Sequence, residues 1–527
     1  MLGSPRLLYS LFVTATVLLG AAIAMWNPAW LAVWAILPLL ALVGAWDLRS
    51  THNVLRNYPI LGHIRYLLEF VRPELRQYFF ESGQSGRPFN REQREIVNKR
   101  ADGEADTEPF GTRRDMEGAG FDFAQHSITP RQVDQSFARI WIGGPQCLKP
   151  YHSSRLNISA MSFGALSTRA VLAMNKGAKL GDFAQDTGEG AISPYHQVHD
   201  GDLIWEIGSG YFGCRTRDGG FDPDDFSKKA NSDQVKMIEI KISQGAKPAH
   251  GGLLPASKVN AEIAKTREIE QRKDCLSPAQ HPEFSTPTGL LQFVARLREL
   301  CGGKPVGFKL CLGKRDEFMG ICKAMLETGI QPDFITIDGA EGGTGAAPAE
   351  FEDFIGTYIN EALPFVDNCL TGIGKRDEIV VIASGKVAMG FDMVTKVALG
   401  ADMCNAARAF MFSVGCIQAQ RCHTNTCPTG VATQNPARTR SLDVPSKAVR
   451  VRNFHHATVK SFLDITGALG LDSPDVLSPA HIFHRLEYGP ASTYRGMHPQ
   501  VESGDFLNGK IPAEYRPDWE KATASKF

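Results

Sequence analysis

From about residue 150 onward, short β-branched runs alternate with amphipathic helical stretches. This alternation is typical of parallel βα units, and eight candidate strands predict a (β/α)8 TIM barrel rather than a doubly wound sheet. The predicted strands are Leu156–Ala160, Asp182–Gln185, Leu203–Ile207, Met237–Ile242, Val306–Leu312, Phe334–Asp338, Ile379–Ala383 and Asp402–Asn405. The predicted helices are Thr168–Lys179, Thr288–Leu300, Asp316–Glu327, Asn360–Thr371, Phe391–Ala398 and Ser446–Leu471. We therefore expect an α/β fold whose functional face lies where the strands end.

The N-terminus has a different character. Leu7–Met25 and Trp30–Trp46 are two apolar runs without a charged residue, each close to the ~17–25 residues that span a bilayer. Arg6 before them and Arg49 and Arg56 after them predict a two-helix membrane hairpin with both ends, and the catalytic part, in the cytoplasm. The alternative is that the first run is a cleaved signal peptide, in which case the second run still crosses the membrane.

These patterns predict four regions in the 527-residue chain. They are a transmembrane hairpin at 1–50, a connector at 51–149, the barrel at 150–485 and a C-terminal tail at 486–527. Formal net charge is zero, so nothing favours nucleic acid as a partner. Eleven cysteines form an odd set scattered through a long chain, which favours a reducing compartment over a disulfide framework.

Three cysteines lie close together after the last predicted strand. Cys416, Cys422 and Cys427 are separated by five and four residues, and Pro428 follows. Thiolates select iron–sulfur clusters, zinc or copper(I), and a proline after the last cysteine recurs in cluster loops. Three reduced, buried thiols are the alternative interpretation.

Polar and glycine-rich segments follow the predicted strands. They are Ser162–Ser167, Thr187–Gly190, Lys241–Pro248, Asp338–Ala346, Ser384–Lys386 and Asn405–Arg408. The turns after the seventh and eighth strands of a barrel often bind phosphate, although simple turn geometry would also explain their glycines. Taken together, the segments predict a cationic, glycine-walled mouth that suits an anionic small molecule beside a planar cofactor.

Five of these motifs resemble the FMN-binding synthase domain of glutamate synthase. They are SAMSFGALS, TGEG, KISQGAKPAHGGLLPASKVNAEIA, DGAEGGTGAAP and CIQAQRCHTNTCPTGVATQNP, in the family's order over roughly residues 150–440. The resemblance implies an FMN-bearing (β/α)8 barrel with a [3Fe-4S] cluster. It implies an oxidoreductase that acts on the CH–NH2 group and reduces the imine of ammonia and 2-oxoglutarate to L-glutamate.

The resemblance also implies roles for individual residues. Cys416, Cys422 and Cys427 would ligate the cluster. The implied catalytic residues are Glu189, Lys241, Gln244 and Lys247. The implied cofactor-binding residues are Ser162, Gly164, Gln244, Gly342, Gly343, Thr344, Gly385, Lys386, Ala407 and Arg408.

Departures from the family pattern define the expected partners. The chain shows neither the N-terminal glutaminase domain nor room for the glycine-repeat β-helix, so we expect ammonia from a separate source. It shows no GxGxxG dinucleotide turn, so we expect electrons from ferredoxin, another donor protein or a membrane donor. Ala191 and Ala256 replace expected glycines, and Ser384-Gly385-Lys386 replaces an aspartate-glycine-glycine turn.

Three functions therefore stay open at this point. The first is the glutamate synthase-type reaction with 2-oxoglutarate. The second keeps FMN and the cluster but acts on a different amino or keto acid. The third is a non-catalytic membrane electron-transfer subunit, which Glu189, Lys241 and Lys247 disfavour because a scaffold needs no charges in its mouth.

Overall fold

The computed structural model describes residues 5–27 and 34–527. The chain divides into two compact units, Met1–Gly86 and Arg87–Phe527. The larger unit contains a closed barrel of eight strands, each hydrogen-bonded to its neighbours in parallel. In chain order the barrel strands are β1 (Leu156–Ile158), β2 (Gln185–Asp186), β3 (Leu203–Ile207), β4 (Val235–Lys241), β5 (Val306–Leu310), β6 (Phe334–Asp338), β7 (Val380–Ser384) and β8 (Met403–Ala406). The TIM-barrel prediction is confirmed.

Helices separate the barrel strands. In the larger unit they are Arg91–Asp102, Thr168–Gly181, Pro194–Gln197, Pro223–Ala230, Ala261–Arg267, Pro287–Leu300, Arg315–Thr328, Ala349–Phe354, Ile359–Gly372, Gly390–Ala398, Arg408–Ser413, Pro436–Thr439, Val444–Ala468, Tyr494–Met497 and Arg516–Lys521. Short 3-10 turns occupy Gln135–Ala138, Ala256–Lys258, Arg376–Glu378 and Pro474–Val476. Strands outside the barrel are Asp122–Ala124, Arg139–Ile142, Tyr151–Ser154, Leu253–Leu254, Cys275–Leu276, Ile482–His484 and Ser492–Thr493.

Capping side chains fix where the barrel helices begin. Ser167 Oγ accepts a hydrogen bond from Ala170 N at 3.2 Å, and Thr286 Oγ1 accepts one from Gly289 N at 3.0 Å. Each satisfies a backbone donor that the first helical turn leaves without a partner. The helices therefore start one residue after a polar cap, close to where the alternating pattern places them.

The inside of the barrel is layered. Its amino-terminal end is plugged by an apolar cluster that includes Ile204, Met237, Phe334, Ile382 and Met403. Side chains alternate along each strand, so residues two positions further on also point inward. Glu206, Glu239 and Thr336 occupy that next layer, and it is polar. The barrel is therefore closed at its amino-terminal end, and a ligand would enter from the carboxyl ends of the strands.

The smaller unit corrects the predicted membrane hairpin. Its helices are Pro5–Trp26, Ile36–Asp47, Asn53–Asn57 and Gly62–Leu75, followed by a π-helical turn at Arg76–Phe80. Leu7–Trp26 has a mean hydropathy of 2.1 and is long enough to cross a bilayer, which is weak evidence for a span. The predicted second span, Trp30–Trp46, lies partly outside the described residues. Its described part forms a helix of only 12 residues. A two-pass topology is therefore not supported.

The two apolar helices pack against each other within this unit. Tyr9 Oη donates to Ala41 O at 2.5 Å, and Trp34 Nε1 donates to Thr16 O at 2.9 Å. Because position 9 meets position 41 and position 16 meets position 34, the helices run antiparallel. The chain leaves the second helix on the same side as the first one starts.

The C-terminal residues pack more tightly than their composition suggests. Phe506 and Tyr515 are almost fully buried, with 4% and 1% exposure. Tyr515 meets Phe365 edge to face at 5.3 Å. A loosely attached tail would leave both rings in water, so the tail is part of the core.

Candidate active site and cysteine loop

A small cleft of about 70 Å³ opens at the carboxyl ends of β5 to β8. Asp338 ends β6, Ser384 ends β7 and Ala406 ends β8, so three neighbouring strands contribute to one wall. Seven predicted cofactor residues line this cleft: Gln244, Gly342, Gly343, Gly385, Lys386, Ala407 and Arg408.

Glycines in the wall make room for charged groups. A Cβ at Gly343 would come within 2.9 Å of Arg408 Nη1, and one at Gly385 within 2.7 Å of Glu341 Oε1. Arg408 Nη2 donates to Glu341 O at 2.7 Å, and its guanidinium lies 4.9 Å from the centre of the Phe89 ring. A side chain at either position would displace the end of the neighbouring side chain.

Two cations, Lys386 and Arg408, line the cleft. Burial, and then the charge of Arg408, lower the pKa of Lys386, and burial also lowers the pKa of Arg408. Lys386 has a φ of 46°, a left-handed conformation that costs a lysine free energy. A bound anion would relieve the repulsion between the two charges. The cleft thus fits a phosphate group.

A second polar cluster surrounds Glu189. Lys241 Nζ lies 3.2 Å from Glu189 Oε1, and Ser277 Oγ donates to Glu189 Oε2 at 3.3 Å. Burial alone would raise the pKa of Glu189, but the charges of Lys241, Arg267 and Lys247 together lower it. The carboxylate is therefore held in its ionised form.

Lys247 is the other cation of this cluster, and only 3% of it is exposed. Burial, followed by the charge of Lys241, lowers its pKa, while Glu189 raises it. The lysine thus sits where its proton is held less tightly than in water. An anionic substrate beside it would raise this pKa again.

The turn that carries Gln244 and Lys247 is locked to the end of β6. Gly245 N donates to Asp338 Oδ2 at 2.7 Å, and a Cβ at Gly245 would come within 1.8 Å of Gly339 O. No side chain fits at position 245 without moving backbone. This contact brings the segment after β4 against the glycine turn after β6. Because Lys241 at the end of β4 pairs with Glu189, the contact also connects the Glu189 cluster with the wall of the cleft.

His281 was missed by the sequence analysis. Its Nε2 lies 2.8 Å from Lys241 O, and its Nδ1 lies 3.1 Å from Tyr211 Oη. Burial lowers the pKa of His281 to about 4, so the ring is neutral at physiological pH. The ring fixes the backbone of Lys241, and no motif in the sequence marks it. Ser277 and Arg267, which also lie in this cluster, carry no sequence signal either.

Below the cleft, the barrel interior contains three buried carboxylates and one lysine. Lys309 Nζ forms an ion pair with Glu206 and lies 3.3 Å from Glu239 Oε1, and Thr336 Oγ1 donates to Glu239 Oε2 at 2.6 Å. Ligand atoms of Asp186, Glu206 and Glu239 lie within 4.8 Å of one another, a spacing that could hold a metal ion. The Lys309 ammonium already supplies a cation there.

The charge of this group is reflected in the titration of Asp186. Burial, and then the charges of Glu239 and Glu206, hold the pKa of Asp186 well above its ordinary value, although Lys309 lowers it. Asp186 is therefore protonated where an exposed aspartate would be ionised.

The three cysteines of the predicted cluster lie in a loop with unusual backbone. Gln418, Gln420 and Asn425 all have left-handed φ, between 53° and 60°, which is strained for residues other than glycine. Such conformations persist only where the surroundings fix them. The loop is thus held in a defined shape.

The thiols themselves are partly or fully buried. Burial, with the nearby charges of the other two cysteines, raises the pKa of Cys416 to about 12, and burial raises that of Cys422. Burial acts in the same direction on Cys427, but hydrogen bonds from Ala432 and Thr429 bring its pKa below the ordinary value. Three mutually interacting thiols fit the ligand set of an iron–sulfur cluster.

Contacts tie this loop to both sides of the barrel mouth. Gln434 Nε2 donates to Gly164 O at 3.0 Å and to Leu166 O at 2.8 Å. A Cβ at Gly345 would lie 3.1 Å from Cys422 Cβ. The loop is therefore attached to the turn after β1 and touches the glycine turn after β6.

Lys258 is a second residue that the sequence analysis missed. It is 3% exposed, and its Nζ donates to Ala165 O at 3.2 Å and Ala432 O at 3.1 Å. Burial lowers its pKa to about 8, against the charges of Cys422 and Cys427, which raise it. A buried cation thus lies beside the thiols.

Three predicted cofactor residues lie outside the lining of the cleft. Ser162 packs against the turn that contains Glu189, since a Cβ at Gly190 would come within 2.7 Å of Ser162 Cβ. Gly164 has a φ of 102° and accepts the hydrogen bond from Gln434. Thr344 stands between Gly343, which lines the cleft, and the contact of Gly345 with Cys422.

A sequence model described as "Conserved region in glutamate synthase" matches residues 131–472. This match covers more than half of the chain. The chain belongs to the glutamate synthase family. It is therefore an enzyme of the oxidoreductase class that acts on the CH–NH2 group, and the predicted glutamate synthase-type function is confirmed at this level.

Individual proteins similar to this chain also carry glutamate synthase names. The glutamate synthase large subunit-like protein YerD of Bacillus subtilis is 38% identical over 482 residues, covering 84% of this chain and 91% of YerD. The archaeal glutamate synthase [NADPH] of Methanocaldococcus jannaschii is 34% identical over 359 residues, covering 66% and 67%. The archaeal-type glutamate synthase [NADPH] of Thermotoga neapolitana is 33% identical over 321 residues, covering 60% of each chain.

Proposed function

We propose that this chain reduces the imine formed from ammonia and 2-oxoglutarate to L-glutamate. FMN would bind in the cleft, with its phosphate near Lys386 and Arg408, and a [3Fe-4S] cluster would bind Cys416, Cys422 and Cys427. When bound, FMN supplies a hydride and the cluster supplies single electrons. The observation that carries the proposal is the ion pair of Glu189 and Lys241 beside a cationic, glycine-walled cleft.

The residues around Glu189 divide the work of binding and proton handling. Lys247 and Lys241 would compensate the carboxylates of the keto acid, which a dicarboxylate substrate requires. Gln244 lines the cleft and would orient the substrate and the cofactor. Glu189 would accept and return the protons of imine formation, because it is ionised and within hydrogen-bond reach of both Ser277 and Lys241.

The remaining glycine turns would shape the cofactor site. Gly342, Gly343 and Thr344 would line one side of the cleft, and Gly385 and Ala407 the other. Ser162 and Gly164 would support it through the turn after β1. Since Gly345 contacts Cys422 two residues after Gly343, the cluster and the cofactor would lie on opposite sides of one turn.

Ammonia and electrons would come from partners. We propose a separate ammonia source and a donor protein such as ferredoxin. The names of the Methanocaldococcus and Thermotoga relatives include NADPH, so an NADPH-linked donor belongs in the same test.

We further propose that Pro5–Trp26 anchors the chain in the membrane with the barrel in the cytoplasm. Leu11, Val17 and Leu18 on this helix are all more than half exposed. Arg49 and Arg56 follow the apolar segments in the sequence. Basic residues flanking an apolar helix favour the cytoplasmic side.

The deciding experiment uses full-length protein reduced without oxygen and mixed with ammonia and a panel of keto acids. Flavin reoxidation by 2-oxoglutarate with ammonia, and not by either alone, is expected. Reoxidation by another keto acid at a higher rate would refute the 2-oxoglutarate assignment. Protein that holds no FMN after reconstitution would refute the cofactor site itself.

A further inference from the structure

The helix Gly62–Leu75 leaves an apolar stripe in solvent. Ile64, Leu67, Leu68, Val71 and Leu75 follow the spacing of one helix face. Leu67 and Leu68 are 61% and 56% exposed, and Ile64 is 54% exposed. The π-helical turn that follows adds Tyr78, Phe79 and Phe80, all more than half exposed. A soluble monomer seldom leaves so many contiguous large apolar side chains uncovered.

The start of this helix is fixed to the end of the apolar helix pair. Asp47, the last residue of Ile36–Asp47, accepts a hydrogen bond from Ile60 N at 2.8 Å and pairs with His63 Nε2 at 2.9 Å. Asp47 is 1% exposed, so this junction is buried. The stripe therefore begins directly after the apolar helix pair, near the start of Pro5–Trp26, where the proposed anchor would meet the bilayer surface.

Arginines outnumber carboxylates beside the stripe by three to two, because Glu69 and Glu74 lie on the same helix. Arg65, Arg72 and Arg76 recur at intervals of seven and four residues, which places them along one side of the same helix. Each is exposed. Glu69 pairs with Arg65 at 2.9 Å and neutralises part of this charge. An apolar face flanked by arginines is the pattern of a helix that lies in the plane of a membrane containing anionic lipid.

We propose that Gly62–Phe80 lies in the headgroup region of an anionic bilayer, with Ile64, Leu67 and Leu68 buried among the acyl chains. The proposal rests on the proposed anchoring by Pro5–Trp26. The segment would act as a second attachment that fixes the height of the chain above the membrane. A second copy of the chain could also cover an apolar stripe, but flanking arginines would then repel one another.

The test uses full-length protein in nanodiscs of phosphatidylcholine with phosphatidylglycerol, doped with a lipid that carries a photoreactive group in its acyl chain. After illumination, peptides are analysed for lipid adducts by mass spectrometry. We expect adducts on residues 62–80 as well as on 7–26. Leu67→Glu with Leu68→Glu should reduce the adducts on 62–80 at least fivefold. Leu507→Glu is the matched control, since Leu507 is also 56% exposed but lies in the larger unit.

The possible results separate the two proposals. Adducts on 7–26 with none on 62–80 would overturn the surface attachment and leave the anchor intact. Absence of adducts on both segments would overturn the anchor. Residues 62–80 protected from hydrogen exchange but free of adducts, in discs that hold two copies, would show a protein interface and overturn the proposal. Omitting phosphatidylglycerol should lower the yield on 62–80, and an unchanged yield would refute the role of the arginines.

Discussion

Replacing Lys309 by methionine tests how the barrel tolerates three carboxylates in its interior. Lys309 Nζ is 3.3 Å from Glu239 Oε1, and at an effective dielectric constant near 20 this pair alone is worth about 5 kcal/mol. The cost of burying the ammonium offsets part of that attraction, but methionine would leave the carboxylates without a cation. Breaking a buried pair in this way typically costs about 3–5 kcal/mol. We expect Lys309→Met to lose that much stability at pH 8.

The loss should depend on pH. Lys309 lowers the pKa of Glu206, so without it that carboxylate would be protonated more readily as the pH falls, and protonation removes a charge from the group. Urea unfolding followed by tryptophan fluorescence at pH 8 and pH 5.5 measures this, with Trp205 inside the barrel unit as a reporter. Lys460→Met, at a lysine that is 69% exposed, is the control and should change stability by less than about 0.5 kcal/mol. A loss at position 309 no larger than that of the control, or one that does not shrink at pH 5.5, would refute the reasoning.

Three further predictions concern single residues. Because the folded chain keeps a proton on Asp186 that the unfolded chain releases above about pH 4, its raised pKa costs stability as the pH rises. Asp186→Asn should therefore stabilise the protein more at pH 8 than at pH 5, which urea midpoints would show, and the reverse order would contradict the assignment. Cys422→Ser should abolish the visible absorption and electron resonance signal of the cluster while the flavin content is kept; an unchanged signal would exclude Cys422 as a ligand. Lys258→Met should favour the oxidised cluster about tenfold at a fixed potential, a shift of about 59 mV for one electron, while Lys258→Arg should shift it less. If a redox titration gave both variants the same cluster potential as the wild-type protein, Lys258 would have no influence on the cluster.

Strong local patterns predicted the barrel well. Leu203–Ile207 and Phe334–Asp338 are strands with the predicted bounds, because both are short runs rich in β-branched and aromatic residues that end at a turn. The second strand was displaced: Asp182–Gln185 was predicted and Gln185–Asp186 is observed. Asp182 instead has left-handed φ at the end of the preceding helix, a position that an aspartate tolerates better than most residues do.

The connector was the least predictable region. Gly62–Leu75 and Arg91–Asp102 are helices, although the sequence from 51 to 140 shows little regular pattern. The first is exposed, so the buried face that normally marks a helix is replaced by the solvent-facing stripe described above. In the second, Arg94 and Arg100 are buried, which hides the apolar spacing. At the candidate site, His281 and Lys258 act through backbone carbonyls, and such contacts leave no motif in the sequence.

The hydrogen bond from the cysteine loop to the turn after β1 joins Gln434 and Gly164, which are 270 positions apart in the chain. It lies where the last strand, β8, pairs with the first strand, β1, and closes the barrel. An inorganic centre held by this loop would therefore be assembled only after the eighth strand has been synthesised. The visible absorption of the cluster would show that the barrel had closed. A polypeptide that ended before β8 would lack the cysteines that bind the iron.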